Sequence, residues 1–320
     1  MILRLSRLLR IVFAASVAAA FVPAQAAACP LGPAPVWAEY GGIGVYDTPV
    51  ASVLARPGVT FGLGSDAKAA DYQSDGALTV GWHMHLQNIV GMPRAPAARS
   101  TVLARIPQLV SLARRMSPCD PPWLALNEIV GIQQPEPLTR SQLRYRGNVL
   151  ALAKGLKARG VRVLLLLPRV PNANTRYKSY WRQLSYQATL VYEAYSFSSR
   201  RAISLGEVRG TRYLRETWTE TIRRLRPFVV RPGRMGIMIP YWSKHHLSGR
   251  VGLSDPGWFR LTRMKVRAAR AVANAQGLST IWSWGWQTNA ANGERDADKP
   301  KAACVYLHER DPALCDPTAM

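Results

Sequence analysis

The chain has 320 residues, of which 48% are hydrophobic and 19% charged, and its formal net charge at pH 7 is +23. This length is enough for one large domain with a substantial core. The positive charge favours anionic partners such as cell-wall polymers, acidic polysaccharides or lipid headgroups, although solubility and coding bias explain it equally well. No nucleic-acid recognition motif accompanies the charge, so nucleic acid is not a predicted partner.

Residues 1–28 predict an export signal. Three arginines precede a short apolar stretch at residues 11–22, and the small-residue cleavage site Ala24-Gln25-Ala26 follows. The stretch is too short to span a bilayer comfortably, and no later segment is apolar enough to cross one. We therefore expect a secreted domain at residues 29–320, without a transmembrane segment. Lipid attachment at Cys29, which would keep the protein on the cell envelope, is the alternative.

From residue 36 onward, apolar strand-like runs alternate with helical patterns, which predicts parallel βαβ units. Strands are expected at Val36–Tyr46, Val59–Gly64, within Ala77–Val90, and at Trp123–Val130, Val161–Leu167, Thr189–Tyr195, Gly236–Trp242 and Leu278–Trp286. Helices are expected from Pro49 and at Asp66–Gln73, Thr101–Met116, Ser141–Arg159, Lys178–Tyr186, Gly206–Leu225, Gly257–Ala275 and Pro300–Arg310.

Eight strands alternating with helices fit a single (β/α)₈ TIM barrel, an α/β fold. A doubly wound open sheet is the alternative. However, no Gly-rich phosphate loop follows the first predicted strand, and the sequence contains no Walker A motif. The sequence also lacks linkers and repeats of fixed period, so we predict one folded domain.

Two glutamates stand at predicted strand ends: Glu128 at the end of strand four and Glu193 on strand six. A carboxylate in such a place is costly unless it has a partner or a chemical task, and TIM barrels carry their catalytic groups at these ends. Glycoside hydrolysis needs two carboxyl groups, about 5–5.5 Å apart for retention and about 6.5–9.5 Å apart for inversion. We predict that Glu128, kept protonated by aromatic surroundings, is the acid and Glu193 the base or nucleophile. The alternative is that either pairs with an arginine such as Arg169.

The pair Asn127-Glu128 at the end of strand four resembles the acid/base signature of the superfamily of TIM-barrel glycoside hydrolases. The resemblance implies that Glu128 is the general acid/base and that Asn127 contacts the sugar beside the scissile bond. That superfamily has its nucleophile glutamate at the end of strand seven, whereas the segment Met235–Ser243 contains no carboxylate. Three alternatives follow: Glu193 supplies the second carboxylate, the active site differs from this pattern, or the barrel is inactive.

Aromatic residues near the strand ends also favour a sugar ligand. Trp282, Trp284 and Trp286 alternate along strand eight, which predicts that all three indoles share one face. Sugar faces stack on such rings, and many TIM-barrel glycosidases resemble this chain in carrying a tryptophan at the end of strand eight. Packing within the core is the alternative. The predicted substrate-binding residues are Asn127, Tyr192, Tyr195, Tyr241, Trp242, Trp282, Trp284, Trp82 and His83.

The histidines suggest a metal-dependent hydrolase as a third hypothesis. His83 and His85 share one face of strand three, as in metal-dependent amidohydrolase barrels, and His245 and His246 follow strand seven. The other ligands of those enzymes, which are histidines on strands five and six and an aspartate on strand eight, are absent. We therefore predict no metal and no organic cofactor.

Four cysteines, an even number, permit disulfides in an exported protein. Proximity predicts a local pair between Cys304 and Cys315 and a second pair between Cys29 and Cys119. No CxxC motif occurs, so structural zinc is not expected.

Taken together, these features predict a secreted glycoside hydrolase-like enzyme that cleaves a polysaccharide or a cell-wall glycan. A non-catalytic TIM barrel that binds glycan or the anionic envelope is the rival hypothesis. The two differ in a testable way, because an enzyme needs both carboxyl groups facing one cavity, whereas a binding protein would hold a glutamate against an arginine. The oligomeric state stays open at this level.

Overall fold

The computed structural model describes residues 34–40, 49–64, 68–83, 85–195, 198–242, 253–286 and 297–320. Eight parallel strands close into a barrel in which each strand pairs with its neighbours in sequence and the last strand pairs with the first. The strands are β1 (Val36–Tyr40), β2 (Thr60–Leu63), β3 (Leu78–His83), β4 (Trp123–Leu126), β5 (Arg162–Leu167), β6 (Ala188–Glu193), β7 (Met235–Pro240) and β8 (Thr280–Trp284). The predicted (β/α)₈ barrel is confirmed.

Helices connect the strands around the outside of the barrel. They are α1 (Pro49–Leu54), α2 (Ala69–Ser74), α3 (Gln87–Val90), α4 (Arg99–Ala104), α5 (Ile106–Met116), α6 (Arg140–Lys157), α7 (Lys178–Gln187), α8 (Ser198–Ser204), α9 (Gly206–Leu225), α10 (Asp255–Gln276) and α11 (Lys299–Arg310). The helix predicted at Thr101–Met116 is divided in two at Arg105. Pro107 lies at the start of α5, where its missing N–H needs no partner.

The strand that carries Glu128 ends earlier than predicted. β4 stops at Leu126, four residues before the predicted end at Val130. Beyond it, the Asn127 N–H donates to the His83 carbonyl (3.0 Å) and the Ile129 N–H donates to the Leu166 carbonyl (3.0 Å). The segment therefore stays attached to both neighbouring strands, and Glu128 is held between these two anchored residues.

The barrel has two buried layers, one inside the sheet and one between the sheet and the helices. Such strands are buried on both faces and carry apolar residues on both. Tyr40, Trp82 and Trp282 fill the middle of the interior, and Tyr40 stacks on Trp82 with ring centroids 3.9 Å apart. Gly62 gives these indoles room, because a Cβ there would lie 2.8 Å from Trp282 and 2.9 Å from Trp82. At the N-terminal end of the barrel the Arg162 guanidinium covers the Trp123 ring at 4.1 Å.

The predicted disulfide between Cys304 and Cys315 is confirmed, with the Cα atoms 5.4 Å apart. Cys119 is also disulfide-bonded. Because Cys29 lies outside the described residues, its pairing with Cys119 stays a prediction, as does the export signal at residues 1–28. None of the described helices is long and apolar enough to cross a membrane.

Candidate functional site

Glu128 and Glu193 meet at the C-terminal mouth of the barrel, across β5. Glu193 is the last residue of β6 and is 1% exposed, whereas Glu128 lies two residues beyond the end of β4 and is half-buried. The two carboxyl groups lie close enough for Glu128 to raise the pKa of Glu193. A contact between two carboxyl groups is favourable only when one of them carries a proton.

The surroundings of Glu193 keep it neutral. The Tyr195 hydroxyl donates to Glu193 Oε1 (3.2 Å), and Oε2 is buried without an N–H or hydroxyl donor among the described residues. Burial raises the pKa of Glu193 well above its ordinary value, and the neighbouring Glu128 raises it further. Burial and the same two carboxyl groups also raise the pKa of Tyr195, so its phenol keeps the proton that it donates. These surroundings therefore favour the protonated form of Glu193.

No arginine among the described residues neutralises this pair. None of the ion pairs within the described part of the chain includes Glu128 or Glu193. Arg169, the partner considered from the sequence, points its guanidinium to Gln133 Oε1 at 3.4 Å. A carboxyl pair without a countercation is unusual in a purely structural role, since ionising both groups is costly.

Glu39, in contrast to the carboxyl pair, is a buried glutamate that forms an ion pair with an arginine. It lies on β1 but faces outward, completely buried, and accepts hydrogen bonds from Ser283, Tyr306 (2.7 Å) and Arg310. Burial raises the pKa of Glu39, and Arg310 offsets part of that rise. Glu39 is not among the site residues predicted from the sequence. Its position between the apolar residues Ala38 and Tyr40 of a predicted strand is the signal that could have indicated a buried charge. Its hydrogen bonds connect β1 and β8 to α11, and its side chain does not line the C-terminal mouth of the barrel.

Three half-exposed aromatic residues form a strip beside the carboxyl pair. The Trp242 and Trp284 rings are stacked, 5.0 Å apart at an interplanar angle of 5°, and Tyr195 lies 5.1 Å from Trp284. We call these three residues the aromatic strip. Trp82 and Trp282 lie below it, buried, and form the floor of the mouth rather than an exposed surface.

Three other aromatic residues that the sequence placed in the cleft face the helices instead. Tyr192 packs against the outer layer and interacts with Thr221 of α9. Tyr241 is buried and stacks on Trp286 at 4.2 Å. Trp286 does not share the face of Trp282 and Trp284.

The alternation of side chains between the two faces of strand eight ends at Gly285. Its φ of +92° favours glycine, and a Cβ there would lie 2.4 Å from the Trp242 nitrogen. The turn directs the Trp286 indole outward, where its N–H donates to Ser283 Oγ at 2.7 Å. This outward turn separates Trp286 from the two tryptophans that precede it on the strand.

Neither His83, the last residue of β3, nor His85 beyond it contributes to the pKa shift of Glu193. His83 lies next to His85 and Arg105, the residue between α4 and α5, and its burial together with these two residues lowers its pKa. His245 and His246 lie outside the described residues. Among the residues that are described, no three metal-ligating side chains come together. Asn127 is half-buried beside Glu128, and its carbonyl accepts from the Leu86 N–H at 2.8 Å.

Comparison of the sequence with family models and with curated proteins gives no match. Solved structures similar to this chain include D-psicose 3-epimerase with D-tagatose from Clostridium cellulolyticum H10, at 11% identity and a TM-score of 0.46 over 88% of this chain and 99% of that chain. A xylose isomerase domain protein from Planctomyces limnophilus is similar at 13% identity and a TM-score of 0.43, over 88% of this chain and 96% of that chain. The domain titled "C-terminal domain of putative chitinase" from Desulfitobacterium hafniense DCB-2 is similar at 11% identity and a TM-score of 0.48, over 85% and 98%. At these identities and TM-scores the likeness concerns the fold alone.

Proposed function

We propose that this protein is an exported glycoside hydrolase-like enzyme, in which Glu128 and Glu193 cleave a polysaccharide or a cell-wall glycan. The observation that carries the proposal is the contact between the two carboxyl groups at the barrel mouth, where no described arginine neutralises them. Two carboxyl groups with a single proton between them are what glycosidic cleavage by acid and base requires.

The difference in burial between Glu128 and Glu193 supports an assignment of the resting proton that differs from the one predicted from the sequence. The sequence predicts that Glu128 carries the resting proton, whereas Glu193 is the more buried group and its raised pKa favours the protonated form there. In the proposed first step this proton passes to Glu128, which donates it to the glycosidic oxygen as the C–O bond breaks. Glu193, now ionised, attacks the anomeric carbon. Water then hydrolyses the glycosyl ester with Glu128 as the base, which returns the proton to the pair.

This arrangement favours retention of the anomeric configuration. Inverting enzymes keep their carboxyl groups about 6.5–9.5 Å apart so that a water molecule fits between them. Glu128 is close enough to raise the pKa of Glu193, which is nearer to the spacing of about 5–5.5 Å in retaining enzymes, and a bound sugar would separate the two groups to that distance. Proton NMR of the first-formed product should show the anomer of the substrate, and an inverted product would contradict the assignment of Glu193 as the nucleophile.

The aromatic strip supports a sugar as the substrate. Trp284 stacks on Trp242 and lies beside Tyr195, whose hydroxyl donates to Glu193; both indoles are half-buried, and sugar C–H faces stack on such rings. Asn127 stands next to Glu128 and is the polar group that the strand-four resemblance assigns to a sugar hydroxyl. Tyr192 and Tyr241 are left out of the proposed cleft because they face the helices.

The test is reducing-end release from a panel of neutral, acidic and cell-wall glycans. Mature protein would be compared with Glu128→Gln, Glu193→Gln and the matched control Glu216→Gln, which changes an exposed glutamate of α9. We expect the first two variants to lose at least 100-fold in rate, on the order of a general acid–base contribution, and the control to keep its rate. Activity that survives in both site variants would overturn the proposal.

A non-catalytic glycan-binding barrel is the second candidate. It is favoured by the absence of a carboxylate in Met235–Trp242 and by the low exposure of Glu193, which is 1%. In that case the panel would show glycan binding without cleavage, and binding would depend on Trp284 but not on Glu193.

A further inference from the structure

The N-terminal end of the barrel, opposite the carboxyl pair, carries a cleft of about 470 Å³ lined by four cationic side chains. Lys157 ends α6, Arg162 begins β5, and Arg231 and Arg234 lie in the segment that leads into β7. The C-terminal mouth with the carboxyl pair and this cleft are therefore at opposite ends of the strands.

The cations of this cleft lack an acidic partner among the described residues. None of the described ion pairs includes any of the four. The nearest acidic residue in sequence is Asp120, beside the lining residue Pro121. It is exposed and takes part in none of those ion pairs either. Residues 1–33, outside the described part, contain no aspartate or glutamate that could supply a counter-charge.

The cations are held close together against their mutual repulsion. Arg162 is half-buried over the Trp123 ring, and both burial and Arg234 lower its pKa. Burial and Arg231 lower the pKa of Arg234 in the same way. An uncompensated cluster of this kind is destabilising by itself, and an anion bound between the guanidinium groups would remove that cost.

Favourable interaction with a helix end does not account for the cluster. Lys157 lies in the last turn of α6, where a cation is stabilised, and its ammonium donates to the Tyr186 carbonyl at 2.6 Å. Arg162 lies on a strand and Arg231 precedes a single 3-10 turn, so neither has such a role, and Arg234 at the end of that three-residue turn meets a much weaker helix dipole than Lys157 does. A neighbouring cleft of about 550 Å³, lined in part by Arg114, Arg115 and Arg159, extends the basic surface across the end of α6.

We propose that this cleft binds a phosphate group of an anionic ligand through Arg162, Arg231 and Arg234. Guanidinium groups match phosphate oxygens with paired N–H donors, and a phosphate with up to two negative charges fits a site with several cations and no acid. The site is separate from the proposed hydrolase site and does not depend on the proposed function.

The test uses inorganic phosphate as the probe, with sodium chloride of equal ionic strength as the reference. Calorimetric titration and thermal unfolding would be measured for the wild type, for Arg231→Gln and Arg234→Gln, and for the control Arg215→Gln on the exposed face of α9. We expect phosphate to bind and to raise the unfolding temperature of the wild type and the control. Each cleft variant should bind about tenfold more weakly, the size of one lost charge-assisted hydrogen bond.

These variants also separate a binding defect from a folding defect. Removing Arg234 relieves repulsion on Arg162, so the unfolding temperature without phosphate should not fall in Arg234→Gln. Phosphate binding that is absent from the wild type, or equal in Arg234→Gln and the control, would overturn the proposal. Anionic phospholipid vesicles then distinguish the source of the phosphate: vesicle binding that weakens in both cleft variants identifies a lipid headgroup, and vesicle binding that is unchanged in them identifies a free phosphorylated ligand.

Discussion

Replacing Glu193 by glutamine is expected to remove the proposed activity and to stabilise the fold. The change is nearly isosteric, and the amide can still accept from the Tyr195 hydroxyl. It removes a buried group whose ionisation is opposed both by burial and by Glu128. Glutamine at this position carries no charge at any pH, so the cost of ionising the pair disappears.

The magnitude follows from the contact between the two groups. Two carboxylates about 4 Å apart repel by about 4 kcal/mol at an effective dielectric constant of about 20. This repulsion is an upper limit for the gain in stability, because a protonated Glu193 does not repel Glu128 in this way. We expect Glu193→Gln to gain about 1–2 kcal/mol at neutral pH, which corresponds to a few degrees in unfolding temperature for a chain of this size.

The gain should depend on pH in a defined direction. The pKa of Glu193 is raised in the folded protein above its ordinary value of 4.5. Its protonated form therefore contributes fully to stability below about pH 4.5, and this contribution is lost as the pH rises through the folded pKa. The difference between the variant and the wild type should be small near pH 4 and should grow towards pH 8.

Urea unfolding of both proteins at several pH values is the assay, and Glu39→Gln is the matched control. Glu39 is also buried but is paired with Arg310, so its replacement leaves an unpaired buried cation and should destabilise by about 3–5 kcal/mol. A Glu193→Gln protein that is less stable than the wild type at neutral pH, or a difference that does not change with pH, would refute the description of the pair as two like groups that share one proton.

Three further changes have defined outcomes. Trp284→Ala should raise KM for a cleaved glycan at least several-fold with a smaller effect on kcat, because it removes a stacking face of the aromatic strip; an unchanged KM would place the sugar elsewhere. Cys304→Ser should lower the free energy of unfolding by about 2–3 kcal/mol in oxidising buffer, since the bond closes a short loop at the C-terminal helix, and the reduced wild type should lose more because the disulfide of Cys119 is broken as well. Burial lowers the pKa of Lys265 to about 7 from 10.5, so wild-type stability should rise between about pH 7 and 10.5, and Lys265→Met should lose this rise in a pH series of thermal unfolding.

The sequence alone predicted the barrel because hydrophobic periodicity is a local property. Runs such as Val161–Leu167 are apolar on both faces, which only a doubly covered parallel strand explains, and the helical patterns between them fix the alternation. The predicted helix Gly206–Leu225 has the observed bounds. The positions of Glu128 and Glu193 near strand ends followed from the same periodicity.

Only the tertiary structure decided which of these residues face one another. Whether a side chain beyond a strand end faces the mouth or the helices depends on backbone geometry that no periodic pattern encodes, as the φ of Gly285 shows for Trp286. The environment of a buried carboxyl group depends on residues distant in sequence, such as Glu128 beside Glu193 and Arg310 beside Glu39. Periodicity is set by neighbours along the chain, whereas protonation and side-chain contacts are set by the packing of the whole barrel.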